Sequence, residues 1–533
     1  MKKIRTPTRD EAGVLIAMLA VIFGGWVRLS APAIAGFPIN DGGLFYVMMR
    51  AIQQNDFQLP TFVKYNGLDI PFAYPPLGLY AGAVISSLVH VDLIKIVQWL
   101  PAIVLIMTIP AFYLLSKSIL ASNFTAGIAT LIFALTPRSM TWSIMGGGVT
   151  RSFGYLFLLL TLTNVYLLFV KREKKYLIFS IIFSALTVLS HPEAALQAVG
   201  LCLLFWIFKG RDKIGTFNAL YVGLGTLILS AIWWLPALLR FGPDPLLAAA
   251  QTGQHSALAV LYPIFAVLTD EPLMTISAVL AMLGLFIQAA KREYLLPAWY
   301  FLPFLVEPRS SPTYAMIHMS MLAGVMLTDV IFPAMMNFEA QKRNADYQHT
   351  FQSRITQGLI VFIGFYLMGS AFYFDTQIAK TAVPPAHREA FEWISINTPA
   401  DSRFLALTVA PKIFCDSISE WFPALTDRIS ITTIQGNEWL PAHRFANVAE
   451  EQSAFQGCLY ADLPLRCVED TTRKFGLQYD YIYIAQQTAS NQFCQGGSLA
   501  LAHIDRFIFD LGLDENYKSV YSTNSVTIFS LNH

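Results

Sequence analysis

Residues 216–238 read TFNALYVGLGTLILSAIWWLPAL, without one charged side chain, and Lys209, Arg211 and Lys213 stand just ahead of them. A helix of that length rises about 35 Å, enough to cross a hydrocarbon layer of roughly 30 Å. Similar apolar runs occupy 12–30, 76–91, 93–116, 121–136, 151–170, 175–190, 192–208, 258–290, 293–306, 313–335 and 355–373. The 533 residues are 55% hydrophobic and 13% charged, with a mean hydropathy of +0.50. Soluble domains carry roughly 25% charged residues. A single soluble globule, a disordered chain, a coiled coil and a nucleic-acid binder are excluded as classes, and a polytopic α-helical membrane protein is expected.

The charges divide the chain. Residues 1–374 carry 25 Lys/Arg against 17 Asp/Glu, a net of +8, and residues 375–533 carry 11 against 18, a net of −7. The long apolar runs stop at the same place. The expected organisation is a membrane domain, 1–374, followed by a separate domain, 375–533, of single-domain size. The pattern of the second part is α/β: a helix at 386–396, strands near 403–409, 429–434 and 480–485, a helix at 499–511 and a hairpin around Ser522 to Asn524.

Five basic clusters fix the orientation: Lys2/Lys3/Arg5/Arg9, Lys171/Arg172/Lys174/Lys175, Lys209/Arg211/Lys213, Lys291/Arg292 and Lys342/Arg343/Arg354. Positive residues gather on the cytoplasmic side. If 76–91 crossed the bilayer, every later segment would flip and 171–175 would lie outside. With 76–91 only dipping in, and 258–270 peripheral ahead of a span at 271–290, all five clusters fall inside. That map has about 11 spans, a cytoplasmic N-terminus and an extracytoplasmic 375–533 in the plasma membrane. The start, MKKIR with an apolar run before Ala33-Ile34-Ala35, reads as an uncleaved signal anchor, since the run is longer than a signal peptide's.

Cysteine placement agrees. Cys202 lies alone in a helix, whereas Cys415, Cys458, Cys467 and Cys494 all fall in the second part. An even number in an exported domain implies two disulfides. The spacing favours Cys458–Cys467 as a local loop, leaving Cys415–Cys494. No Cys-x-x-Cys pair supports a zinc site instead.

On this map the polar residues of interest share the outer face. The first external loop contains GFPINDGGLFYVMMRAIQQ from Gly36, where Asn40 or Asp41 can N-cap the helix that follows. Asp41 is then either a capping residue beside a Gly-Gly turn or an acid presented at the membrane surface. The second, TPRSMTWSIMGGGVTRSFG over 136–154, places three glycines between Arg138 and Arg151. Glycine backbone allows N–H groups to approach an anion closely; the alternative is a tight turn with arginines snorkelling to lipid phosphates. His191 and Glu193 stand at a span junction, where such groups are costly unless paired or functional. Arg240, His255, Glu307, Arg309 and His318 follow at later outer edges. Single arginines converging with Asp41, His191 and Glu193 would form a cationic pocket holding a base, and arginine suits a phosphate or diphosphate guest. No Walker loop, Gly-x-Ser-x-Gly or His-Glu-x-x-His occurs.

Four features resemble the GT-C class of polytopic glycosyltransferases, which includes protein O-mannosyltransferases, aminoarabinose transferases and oligosaccharyltransferase catalytic subunits. They are the acid in the first external loop (INDGG, Asp41), Tyr74-Pro75-Pro76, the TPRSMTWSIMGGG segment, and a terminal domain opening EAFEWISINTPADSRFLAL. Ser419-Glu420-Trp421-Phe422 echoes the Trp-Trp-Asp motif of oligosaccharyltransferases. Two departures stand out: Gly42 follows Asp41 where many relatives have a second acid, and Val149-Thr150-Arg151 replaces an Asp-x-Asp pair.

The resemblance implies a GT-C-like membrane domain and an inverting transfer of a sugar from a polyprenyl-phosphate carrier to a glycan, lipid or protein acceptor outside the membrane. Asp41 would be the catalytic base or would orient the acceptor. Arg138, Arg151 and Arg309 would neutralise the phosphate, with His191, Glu193 and Glu307 lining the site. The one cofactor it leaves open is a divalent cation, Mg or Mn, shared by Asp41, His191 and Glu193. A transporter or lipid flippase, or a non-catalytic scaffold displaying the second domain, are the rival classes. Transporters show internal repeats or polar residues deep in their spans, and neither is visible here. The topology has a direct check: a cysteine introduced at position 173 should react with an impermeant maleimide only after the cells are opened, and labelling of intact cells would overturn the map.

Overall fold

The computed structural model describes residues 8–252, 276–343, 352–408, 416–441, 444–486 and 499–532. The first helix, Arg9–Ala35, starts on a capping box in which Thr8 and Glu11 exchange side-chain and backbone hydrogen bonds, and ends at Gly36, whose φ of 63° is left-handed. Such a box satisfies two of the donors that a helix start leaves open. Seven helices among the described residues are long and apolar enough to cross a membrane. They begin with Arg9–Ala35, Leu93–Leu120, Gly148–Lys171, Pro192–Lys209 and Lys213–Phe241, and end with a helical stretch over Ser311–Arg343 and one that starts at Arg354.

The remaining four expected spans are helices too, but shorter ones: Asn123–Leu135, Lys174–Ser190, Ile276–Ala290 and Leu295–Val306. Length alone therefore gives seven rather than eleven. Asn123–Leu135 shows why a short helix suffices: every residue from Phe124 to Leu135 is buried by protein. A helix clad in other helices need not match the bilayer thickness, because only lipid-facing backbone must be satisfied along the full hydrocarbon depth. Leu77–Val89 is equally short, about 20 Å, and its outer end is bare, with Leu88 75% and Val89 60% exposed. The expected peripheral segment 258–270 lies outside the described residues.

Close backbone approach ties the bundle together. A Cβ on Gly13 would sit 2.2 Å from the Asn123 carbonyl oxygen, and one on Gly127 would sit 2.3 Å from the Gly13 carbonyl oxygen. Small residues at helix crossings gain contact where lipid supplies no hydrophobic drive.

The last part is α/β, as its pattern implied. Five strands, β3 (Arg403–Leu407), β4 (Ile429–Ser430), β5 (Tyr481–Ala485), β6 (Tyr517–Ser522) and β7 (Val526–Leu531), pair in the order β4-β3-β5-β7-β6. The pairs β3/β4 and β3/β5 are parallel; β5/β7 and β6/β7 are antiparallel. An earlier hairpin, β1 (Phe62–Tyr65) with β2 (Leu68–Pro71), belongs to the first loop. Strand alternation splits the sheet's two faces. Leu405, Leu407, Ile482 and Ile484 pack with Phe455, Val468 and Phe507. Phe404, Ala406 and Tyr483 instead join Phe391, Trp421 and Phe422 in a core continuous with that of the helical bundle. Cys458 and Cys467 are disulfide-bonded, linking the helix Arg444–Cys458 to the helix Pro464–Phe475. Cys415 and Cys494 lie outside the described residues, and Cys202 is a free thiol.

The crossing at Gly127 faces backbone, which cannot swing aside as a side chain can. Gly127→Ala should cost about 1–3 kcal/mol by overpacking and lower the thermal midpoint in detergent, whereas Gly223→Ala, with nothing within 4 Å of its Cβ position, should leave it unchanged.

Candidate active site

The first loop turns sharply after Gly36 because Asn40 and Gly42 both take positive φ, 54° and 125°. Neither Asn40 nor Asp41 caps the next helix, Gly43–Gln54; Gly42 is its N-cap, with no side-chain cap of its own. The cap comes from far along the chain. Glu420 Oε1 accepts from the N–H of Gly42 at 2.8 Å and of Gly43 at 3.2 Å. A carboxylate at a helix start satisfies open donors and meets the positive end of the dipole. Asp41 is thereby free to point the other way.

It points at the glycine run. The Gly147 N–H donates to Asp41 Oδ1 at 2.9 Å, and Arg151 Nη2 pairs with Oδ2. The reason for glycine is steric: a Cβ on Gly146 would lie 1.8 Å from the Asp41 carbonyl oxygen, and one on Gly147 would lie 2.4 Å from Arg151 Nη2. The anion that the Gly147 N–H approaches is thus the protein's own carboxylate, while the Gly146 and Gly148 N–H groups donate to the Ile39 and Met145 carbonyls. Arg151 also donates to the Trp142 carbonyl at 2.7 Å, and its guanidinium carbon lies 3.9 Å from the Trp142 ring centre. Arg309 faces the same ring at 5.8 Å. Cations are drawn to the ring's negative face, so one indole gathers both arginines.

Asp41, Arg151, His191, Glu193, Glu307 and Arg309 all line one cavity of about 340 Å³. Arg138, on the turn Pro137–Ser139, does not line it; its expected place among the phosphate ligands is not supported by position. His191 joins two helices, Lys174–Ser190 and Pro192–Lys209, and is 5% exposed with its Nδ1 unpartnered. Burial, and then the positive Arg151 and Arg309, push its pKa well below 6.5, so the ring is neutral. Glu307 accepts from Arg309 N and from both the N–H and hydroxyl of Ser310, and so shapes the turn that presents Arg309. His318 packs on Trp299 and Tyr300 away from this cavity. His255 lies outside the described residues.

The divalent-cation set does not assemble. Among the described residues no three His, Cys, Asp or Glu side chains stand close enough to hold a metal ion. Asp41 already has a guanidinium on one oxygen and an N–H on the other.

Several lining residues carry no signal in the sequence. Asp416, Glu420, Gln435, Glu438 and Trp439 come from beyond residue 374 and share the cavity with Asp41. Trp421 Nε1 donates to the Asn40 carbonyl at 3.0 Å, and the Tyr65 hydroxyl donates to the Glu420 carbonyl at 2.6 Å. Only the Ser419-Glu420-Trp421-Phe422 echo pointed at this helix. Tyr74, quoted above for its prolines, contributes its hydroxyl to Thr150 at 3.1 Å and its ring edge to Trp439 at 5.4 Å. The far wall is apolar: Leu196, Trp233, Leu246, Ala249 and Ala250.

No protein-family model matches the chain, and no curated protein does. Solved structures match along most of its length. Archaeal oligosaccharyltransferase AglB from Archaeoglobus fulgidus, in complex with an inhibitory peptide and a dolichol-phosphate, aligns with 89% of this chain and 69% of its own at 14% identity and a TM-score of 0.56. Arabinofuranosyltransferase AftD from Mycobacteria aligns with 97% of this chain but 40% of its own, at 14% identity and a TM-score of 0.54. ArnT from Cupriavidus metallidurans aligns with 97% of both chains at 11% identity and a TM-score of 0.52. These are GT-C glycosyltransferases, and the chain has their fold.

The buried acids make the docking of the last domain pH-dependent. Burial, and then the Asp41 carboxylate, push Glu420 up to about 8; burial pushes Glu438 to about 7 and Asp416 to about 6. A folded-state pKa above the unfolded one stabilises at low pH and loses that contribution as pH rises through the folded value. Thermal midpoints should therefore fall from about pH 4, the unfolded carboxyl range, to about pH 8 and level off above it, and Glu420→Gln, which keeps an oxygen for Gly42 and Gly43, should flatten the upper part of that fall.

Proposed function

We propose that this chain is a membrane glycosyltransferase that moves a sugar from a polyprenyl-phosphate-linked donor to an acceptor on the outer face of the membrane, with inversion. One observation carries the reading: a single cavity combines a fixed carboxylate, two arginines on one indole, and an apolar wall. The apolar wall suits a prenyl chain, the arginines suit its phosphate, and the carboxylate suits an acceptor. The likeness of fold to lipid-dependent glycosyltransferases supports the same kind of reaction.

In the proposed reaction the acceptor oxygen attacks the anomeric carbon from the face opposite the phosphate. The new C–O bond forms as the bond from that carbon to the phosphate oxygen breaks, and its electron pair leaves with the phosphate. The acceptor proton passes to Asp41. Arg309 meets the charge that develops on the phosphate, where a preformed cation is most effective. Arg151 has a different task from the one its position in the sequence implied. Its pairing with Asp41 and the Trp142 carbonyl makes it the group that holds the base in one orientation.

A positioned general base contributes about 10²–10⁴-fold, so Asp41→Asn should cut transfer by that order while leaving the binding of polyprenyl phosphate intact. Arg309→Ala should weaken polyprenyl-phosphate binding and turnover together. The measurement is transfer from a panel of polyprenyl-phosphate sugars by the purified protein in detergent. Wild-type turnover by Asp41→Asn would remove Asp41 from the mechanism.

A further inference from the structure

Next to the apolar helix Asp244–Gln251, one short segment, 434–439, reads IQGNEW and lines the cavity. Four of its side chains, Ile434, Gln435, Glu438 and Trp439, line the cavity. The segment is pinned from behind. Gly436 has φ 91°, and a Cβ there would lie 2.4 Å from Ile70 of β2. Asn437 donates to the Ile434 carbonyl at 3.0 Å and accepts from Arg444 at 2.9 Å. Trp439 stands edge-on to Tyr74 at 5.4 Å. The Glu438 carboxyl takes part in this pinning through the N–H groups of Gly436 and Glu438 and through Trp439, but its Oε2, like Gln435 Oε1, is left over.

Those ends are the informative part. Gln435 Oε1 and Glu438 Oε2 are buried and have no hydrogen-bond partner among the described residues. The same is true of His191 Nδ1, on a side chain 5% exposed that lines the same cavity. A buried polar atom left unpaired is costly, so native structures satisfy such atoms with protein, water or ligand. Both oxygens are acceptors, and the neutral imidazole can accept at Nδ1. Glu193 Oε2, on the same cavity, is unpaired as well, and so are the donors Trp142 Nε1 and Trp233 Nε1; what is missing is a group that offers several donors and can also accept, which is what adjacent hydroxyls do.

We propose that segment 434–439 is the acceptor subsite and that the group it takes is a carbohydrate, held through its hydroxyl donors by Gln435 and Glu438 with Trp439 against its apolar face. This deepens the transferase reading and rests on it. A peptide brings one carbonyl acceptor for each N–H donor, and those carbonyls would face Glu438 and the neighbouring acids. A phosphate head group brings no donor and the wrong charge. A polyol alone supplies adjacent O–H groups with little to repel, and its C–H faces pack on an indole.

The test is direct binding to the full-length protein in detergent, followed by saturation-transfer NMR. The probes are methyl hexosides and methyl pentosides up to their solubility limit, a Ser/Thr-containing peptide, and ethanolamine. Polyprenyl phosphate is titrated separately through its shift of the thermal midpoint. A methyl glycoside should bind saturably and compete with no peptide. Gln435→Ala and Glu438→Gln should each weaken it about tenfold, the equivalent of one lost hydrogen bond to a fully desolvated partner. Polyprenyl phosphate should still bind both variants; if Glu438→Gln does not fold, Gln435→Ala decides alone. Binding of the peptide or ethanolamine in place of every glycoside, absence of glycoside binding, or glycoside binding indifferent to the substitutions would each overturn the proposal. None of those results touches the donor reading, which falls instead if polyprenyl phosphate fails to bind the wild type.

Discussion

Two carboxylates from distant parts of the chain share one turn, and the site is arranged around that sharing. Glu420 takes the N–H groups of Gly42 and Gly43; Asp41, one residue earlier, takes the N–H of Gly147 and the guanidinium of Arg151. Two acids this close and this buried cannot both stay charged at neutral pH: burial and the Asp41 carboxylate push Glu420 up to about 8, and each acid has its own set of donors. The first helix end supplies donors to one and the glycine run supplies them to the other. Without Glu420 the Gly43–Gln54 helix would begin on uncapped donors beneath protein. Without Arg151, Asp41 Oδ2 would lose its charged partner.

Packing follows from the same requirement. Donors can reach both carboxylates only if three backbone segments come within van der Waals distance, and at Gly146 even a methyl group would overlap the Asp41 carbonyl. The segment around Trp421 is then drawn onto the loop, its indole bonded to the Asn40 carbonyl and its ring set edge-on to Phe37 at 4.9 Å. The hydrophobic core therefore runs unbroken from the helical bundle into one face of the sheet. The last domain is part of the cavity wall rather than a cap resting on it.

Both signs of charge line the cavity. Arg151 and Arg309 gather at Trp142, with Asp41, Glu193 and Glu307 on the same part of the chain, and the segment beyond residue 374 adds Asp416, Glu420 and Glu438. A site for one ion would need a single sign. Opposed signs across a small, partly apolar space suit a substrate pair whose reacting ends differ, one anionic and one donating protons, and such fields are strongest where water is excluded. Preorganised charge of this kind acts on a transition state without reorganising during the reaction.

The amino-acid sequence alone determined what depends on neighbours along the chain. Charge-free runs place the protein in a membrane, the short apolar runs near 403–409 and 480–485 read as strands, and the basic clusters imply an orientation. It also picked out Asp41, Arg151, His191, Glu193, Glu307 and Arg309, because polar residues at the ends of apolar runs are conspicuous. It placed the helix cap at Asn40 or Asp41, where the structure has Gly42. Only the tertiary structure decided which of those polar groups meet. The Asp41–Arg151 pair joins residues 110 positions apart, and the Glu420–Gly42 bond joins residues 378 apart. Periodicity and composition report on a few turns of chain; a contact closed over such distances is set by how whole helices pack, and leaves no mark on either residue's neighbours.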